Sequence, residues 1–186
     1  VVLVSSGAVA AGRAAFQLPQ KTDTVSKRQL WSALGQVKLI NRYSDFFGEQ
    51  GLFCAQVLTT KENFSSRTHY LNMKNCFTTL LENNVIPIVN ENDTISVTEL
   101  MFTDNDELSA LIASMVNSEA LIILTNVDGV YDGHPKNENA KLIQRIELAD
   151  QGSSEGITAE QSDFGRGGML TKYRIARKVA GDGIGV

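Results

Sequence analysis

Val1-Val2-Leu3-Val4-Ser5-Ser6-Gly7-Ala8-Val9-Ala10-Ala11-Gly12 decides the fold class. Four consecutive apolar residues, three of them β-branched, leave no polar face for water and read as a strand buried on both sides. Ser-Ser-Gly followed by small helix formers turns that strand into a helix N-terminus, with Ser5 or Ser6 near the cap. A buried strand that feeds a helix is the opening of a βαβ unit, and such units build parallel sheets.

The same alternation continues down the chain. Leu30, Leu34, Val37, Ile40, Tyr43 and Phe47 recur every three or four residues from residue 26 and stop at Gly48 and Gly51. They predict a long helix whose apolar face covers a sheet. Residues 53–58 predict the next strand. Tyr70, Met73, Phe77, Leu80 and Leu81 predict a helix over 67–81, with Asn83-Asn84 as a left-handed stop. Val85-Ile86-Pro87-Ile88-Val89 reads as a third strand, although Pro87 lacks a ladder donor and argues against a central position.

Thr103-Asp104-Asn105-Asp106 caps a helix carrying Leu108, Leu111, Ile112 and Met115. Residues 120–124 predict a further buried strand, residues 169–180 a helix, and Gly183-Ile184-Gly185-Val186 the start of another strand. The expectation is an α/β fold: a three-layer αβα sandwich with a mostly parallel sheet. It forms one domain over residues 1–186, and both ends look cut inside structure, because the chain opens on a strand without Met and closes on another.

Composition limits the function. With 186 residues, 42% of them hydrophobic and 20% charged, the chain can bury a core and is not a disordered sequence. Its 17 basic and 21 acidic residues give a net charge of -4, the wrong sign for coating nucleic acid backbones. No apolar run reaches the ~20 residues that cross a bilayer. Cys54 and Cys76 form neither a C-x-x-C nor a pair beside histidines, so neither a disulfide framework nor a zinc site is signalled, and a reducing cytoplasm fits best.

In open parallel sheets ligands bind beyond the carboxyl ends of the strands. Four polar or glycine-rich clusters fall at such ends: Ser5-Ser6-Gly7; Asn90-Glu91-Asn92-Asp93-Thr94; Thr125-Asn126-Val127-Asp128-Gly129; and Gly167-Gly168-Met169-Leu170-Thr171-Lys172. Asp104-Asn105-Asp106 lies close in sequence to the second. Taken singly, several of these fit plain helix capping. Together they offer backbone N–H groups, carboxylates and one lysine, a mixture suited to an ammonium-bearing substrate beside a phosphate donor. No G-x-x-x-x-G-K-[ST] or G-x-G-x-x-G occurs, and Asp163-Phe164-Gly165 stands without the other kinase signatures.

These motifs, in this order, resemble the amino acid kinase family over nearly the whole chain. The resemblance rests on residues 5–13, on Asn83 to Asp93, on residues 104–110, on Leu124-Thr125 with Gly129-Val130-Tyr131, and on Gly167-Gly168-Met169 with Thr171-Lys172. It implies ATP-dependent phosphorylation of the side-chain carboxylate of L-glutamate, opening proline biosynthesis, with ATP and Mg²⁺ as cofactors. Ser6, Asp93 and Asn105 would contact glutamate, with Asn90 and Asp104 lining the same pocket. Thr125 and Asn126 would lie against the nucleotide, and residues 167–172 would surround its phosphates. Lys172 would neutralise the phosphoryl group in flight and Asp106 would hold the catalytic lysines. No metal-ligating residue is assigned.

The resemblance further implies self-association and raises proline as a feedback inhibitor at the loop between Asp93 and Asp104. Asn126 departs from the expected Asp, and Arg166 stands where a small residue is common. The family's K-x-G-[ST] turn has no counterpart in these residues, so a fragment with low activity is expected. Two other readings stay open: a kinase of another amino acid or of carbamate, and an inactive module that binds amino acid or nucleotide.

Overall fold

The computed structural model describes residues 1–19, 21–96, 102, 104–133, 137, 140–148 and 168–186. The chain gathers into two compact units, residues 1–105 and 106–186.

The first unit holds β1 (Leu3–Val4), α1 (Ala8–Ala15), α2 (Thr24–Gly48), β2 (Phe53–Thr59), α3 (Lys61–Ser65), α4 (Arg67–Glu82) and β3 (Val85–Glu91). Its strands form a sheet in the order β1-β3-β2, parallel throughout. The expected α/β class with a parallel sheet is what the chain forms.

Pro87 does not keep β3 at an edge. β3 is the central strand, and Pro87 is fully buried there, paired in register with Ala55. The Ser5 N–H donates to the Val89 carbonyl at 2.9 Å, so Val89 faces β1, and by strand alternation Pro87 faces the same way. Its missing donor thus falls beside a two-residue strand and leaves the seven-residue ladder with β2 intact.

The long helix is α2, begun by Asp23, whose carboxylate accepts from the Ser26 N–H at 2.9 Å. Its buried face differs from the expected one. Ser32, Gly35 and Gln36 are buried, while Leu30, Leu34 and Val37 are exposed. The cause is the approach of α1. A Cβ on Gly12 would stand 1.8 Å from the Trp31 carbonyl oxygen, and one on Gly35 would stand 1.7 Å from that of Ala8. Backbones this close admit only small residues, and Leu30, Leu34 and Val37 are turned outward, while Ile40, Tyr43 and Phe47 of the expected face stay half-buried.

α4 follows expectation: Phe77 is fully buried, Tyr70, Met73, Leu80 and Leu81 are half-buried, and Asn84 takes the left-handed φ of 57° that ends the helix. With Ile88 and Val89 of β3, Phe77 belongs to the buried apolar set of this unit.

The second unit contains α5 (Asn105–Met115, whose first residue closes the first unit) and α6 (Met169–Gly181). Leu108, Ile112 and Met115 are buried as their spacing predicts. Ala110 and Ala113 of α5 pack with Val179 and Ile184, and half-buried Leu121 and Ile175 close the cluster. The strand expected at residues 120–124 is reduced to a single parallel bridge, Ala120 to Gly185. Ile122 and Leu124 are exposed, since the described backbone offers them no further partner strand. The bridge does confirm strand-like pairing in the last residues. No described helix is long and apolar enough to cross a membrane.

Candidate functional site

In the first unit the polar residues gather where β1 and β3 end side by side. Ser5 is buried, and its Oγ shares a 2.8 Å hydrogen bond with the Tyr43 hydroxyl of α2. Ser6 follows, exposed, and Gly7 then adopts a φ of 107° as it enters α1, a conformation that only glycine takes without strain. Among the described residues, Ser6 shows no side-chain hydrogen bond to the other predicted site residues. On the neighbouring strand Asn90 is buried; its Oδ1 accepts from the Glu91 N–H at 2.8 Å and from Asn105 Nδ2 at 3.3 Å. Asn90 and Asn105, 15 positions apart, are thus brought together. Asp104 stands beside Asn105, half-buried.

Asp93 does not face open space. Arg28 of α2 donates from Nε to Asp93 Oδ1 at 2.8 Å and contacts the same oxygen through Nη2. The same Nη2 lies 3.3 Å from Glu91 Oε2, while Glu91 Oε1 accepts from the buried Phe102 N–H at 2.9 Å. Ser32 Oγ donates to Asp93 Oδ2 at 3.2 Å. Gln29 Nε2 donates to the Thr94 carbonyl at 2.8 Å, and Gln36 Nε2 reaches the Glu91 carbonyl at 3.5 Å. Arg28, Ser32 and Gln36 are spaced by four on α2 and form one polar stripe along the segment that leaves β3.

The sequence reading missed that stripe. The signal was present as polar residues at i, i+4 and i+8, on a different face from the apolar repeat used to place the helix. Which face turns inward depends on the Gly12–Gly35 crossing, and a pattern in one helix does not contain it.

In the second unit, Lys172 Nζ lies 2.5 Å from Asp106 Oδ2, with both side chains mostly buried. The sequence reading had linked these two residues, 66 positions apart. Lys172 sits in the first turn of α6, and its N–H donates to the carbonyl of buried Gly168, the N-cap, at 3.2 Å. Met169, Leu170 and Thr171 fill the same turn, and Gly167 lies outside the described residues. Thr125 and Asn126 are exposed and outside any helix or strand. Among the described residues no group of three or more His, Cys, Asp or Glu side chains is placed to hold a metal ion.

The arrangement supplies two kinds of chemistry. Glu91 and Asp93 present carboxylates fixed by an arginine, and Asn90 and Asn105 add amides, equipment suited to a small zwitterion. Residues 106 and 168–172 present an anchored lysine at a helix start, the equipment for phosphate.

The chain is 62% identical over 186 residues to a glutamate 5-kinase of Bacteroides thetaiotaomicron, covering 100% of this chain and 51% of that relative. It is 50% identical over 186 residues to a glutamate 5-kinase of Chlorobaculum tepidum, with the same coverage. It is 40% identical over 185 residues to one of Clostridium acetobutylicum, covering 99% of this chain and 69% of that relative. The chain spans about half the length of the first two. The description "Amino acid kinase family" matches residues 1–186, from the strand that feeds α1 through the lysine-bearing α6, and the chain belongs to that family.

Proposed function

We propose that the protein transfers the γ-phosphoryl group of ATP to the side-chain carboxylate of L-glutamate, giving glutamyl 5-phosphate, the first step of proline biosynthesis. The observation that carries this reading is the 62% identity, over all 186 residues, to a relative named glutamate 5-kinase. The geometry of both units supports it.

A glutamate side chain has a pKa near 4.3 and is ionised at pH 7, so the attacking oxygen needs no base. That oxygen forms a bond to γ-phosphorus while the bond to the bridging oxygen breaks and ADP leaves. Proton transfer is not required. The protein's task is positioning and charge neutralisation. Asn90, Asp93, Asp104, Asn105 and Ser6 bind glutamate, the two aspartates supplying negative charge for its ammonium group. Thr125, Asn126 and residues 167–172 serve the nucleotide. Lys172 spreads the charge of the phosphoryl group in transit, held by Asp106. Mg²⁺ bound to the ATP phosphates would neutralise part of their charge. The reading includes a cytoplasmic location, self-association, and proline feedback through residues 94–103.

The test is ADP release by the full-length protein with and without L-glutamate, repeated with Asp93→Ala. Glutamate-dependent release with a raised glutamate KM in the variant supports the reading. Release that ignores glutamate refutes it, and an unchanged KM removes Asp93 from the acceptor site.

A further inference from the structure

We propose that Arg28 is a positioning residue for the amino acid acceptor, fixing Asp93 and setting the charge that the acceptor site presents. The inference rests on the proposed function and extends it to a residue on α2 that no motif in the sequence singles out.

Three observations carry it. Arg28 pairs with both carboxylates at the end of β3: Glu91 Oε2 at 3.3 Å, and Asp93 Oδ1 through Nε at 2.8 Å and through Nη2. The two carboxylate side chains are 7% exposed and the Arg28 side chain 22%, so water screens the group weakly. Finally, both ends of each carboxylate are engaged. Asp93 Oδ2 accepts from Ser32 and Glu91 Oε1 accepts from the Phe102 N–H, which leaves neither group free to swing.

The charges follow. Arg28 offsets one of the two negative charges that Glu91 and Asp93 bring to the end of β3. Removing it adds negative charge in a poorly solvated place, which repels the two carboxylates of glutamate, and takes from Asp93 the hydrogen bonds that fix Oδ1. An arginine suits this position because its planar fork offers Nε and Nη2 in fixed relation, which a lysine point charge does not. Its effect on the reaction runs through Asp93, hence positioning rather than catalysis.

The experiment compares wild type, Arg28→Met and Arg28→Lys of the full-length enzyme, with separate titrations of glutamate and ATP. Loss of one partner of a buried, hydrogen-bonded charge group predicts a glutamate KM raised by about 30-fold or more in Arg28→Met. The ATP KM should stay within about 2-fold, and Arg28→Lys should recover part of the glutamate KM. Thermal melts accompany each variant; if Arg28→Met does not fold, the glutamate-against-ATP split in Arg28→Lys decides. A glutamate KM equal to wild type in a folded variant overturns the placement of Arg28 and leaves the proposed function standing. Equal rises in both KM values also overturn it, since they indicate general loosening. A wild type that phosphorylates no amino acid overturns both readings together.

Discussion

Lys172 Nζ and Asp106 Oδ2 lie 2.5 Å apart, joining the first turn of α6 to the first turn of α5. An ammonium group held at a helix start by a mostly buried carboxylate is aimed before any substrate arrives. On the proposed mechanism, Lys172→Ala lowers kcat by about 10²- to 10³-fold with little change in glutamate KM. Asp106→Asn leaves the lysine but not its aim, and lowers kcat by about 10²-fold. Steady-state kinetics of both variants decide the matter, and a kcat near wild type in Lys172→Ala removes that residue from the mechanism.

Gly12 and Gly35 permit α1 and α2 to touch through their backbones. A Cβ on Gly35 would also stand 2.7 Å from the Gly12 amide nitrogen. Since carbonyl groups rather than flexible side chains receive the added atom, Gly12→Ala or Gly35→Ala should destabilise by about 3 kcal/mol or more. The expected result is a clearly lower denaturation midpoint for each. A midpoint equal to wild type would mean that the helices cross less closely than described.

Asp23 begins α2 by accepting from Ser26, and those hydrogen bonds hold its pKa below the ordinary aspartate value. A carboxylate with a lowered folded-state pKa contributes stability above its unfolded pKa and loses it as pH falls through the folded value. Asp23→Ala should therefore melt below wild type at pH 7, with the gap narrowing below about pH 4. A gap that is constant with pH would show that the charge of this cap contributes nothing.

Burial pushes the Cys54 thiol up, while Cys76 is exposed on α4. Because the thiolate is the reactive form, alkylation of the native protein at pH 8 should label Cys76 first. Peptide mass analysis over time reads the order, and equal rates would contradict the burial assigned to Cys54.

Much of this was legible in the residues alone. The run from Val1 to Gly12 announced a strand entering a helix, but the strand is confined to Leu3–Val4 and is half-buried rather than covered on both sides, with Val1 exposed; the Phe77 face of α4, the Asn84 stop and α5 followed their spacing. The link between Asp106 and Lys172 came from the family resemblance, and the structure brings the two together. Three features depended on partners that no local pattern names. Pro87 is tolerated in the central strand because its missing donor faces a two-residue neighbour. The inward face of α2 was chosen by a close crossing with α1, which favours Ser32 and Gly35 over Leu30 and Leu34. Arg28 meets Asp93 across 65 positions of sequence, and its role appears only once α2 lies along the end of β3.

The most direct test traps the acyl phosphate with hydroxylamine, using full-length protein, ATP, Mg²⁺ and a set of acceptors: L-glutamate, the shorter L-aspartate, and N-acetyl-L-glutamate, which lacks the ammonium group. The account predicts hydroxamate from L-glutamate and little from the other two, because on the proposed reading Asp93 and Asp104 receive the ammonium group and so set how far the reacting carboxylate reaches. Hydroxamate formed equally well from N-acetyl-L-glutamate, or from none of the three, would contradict it.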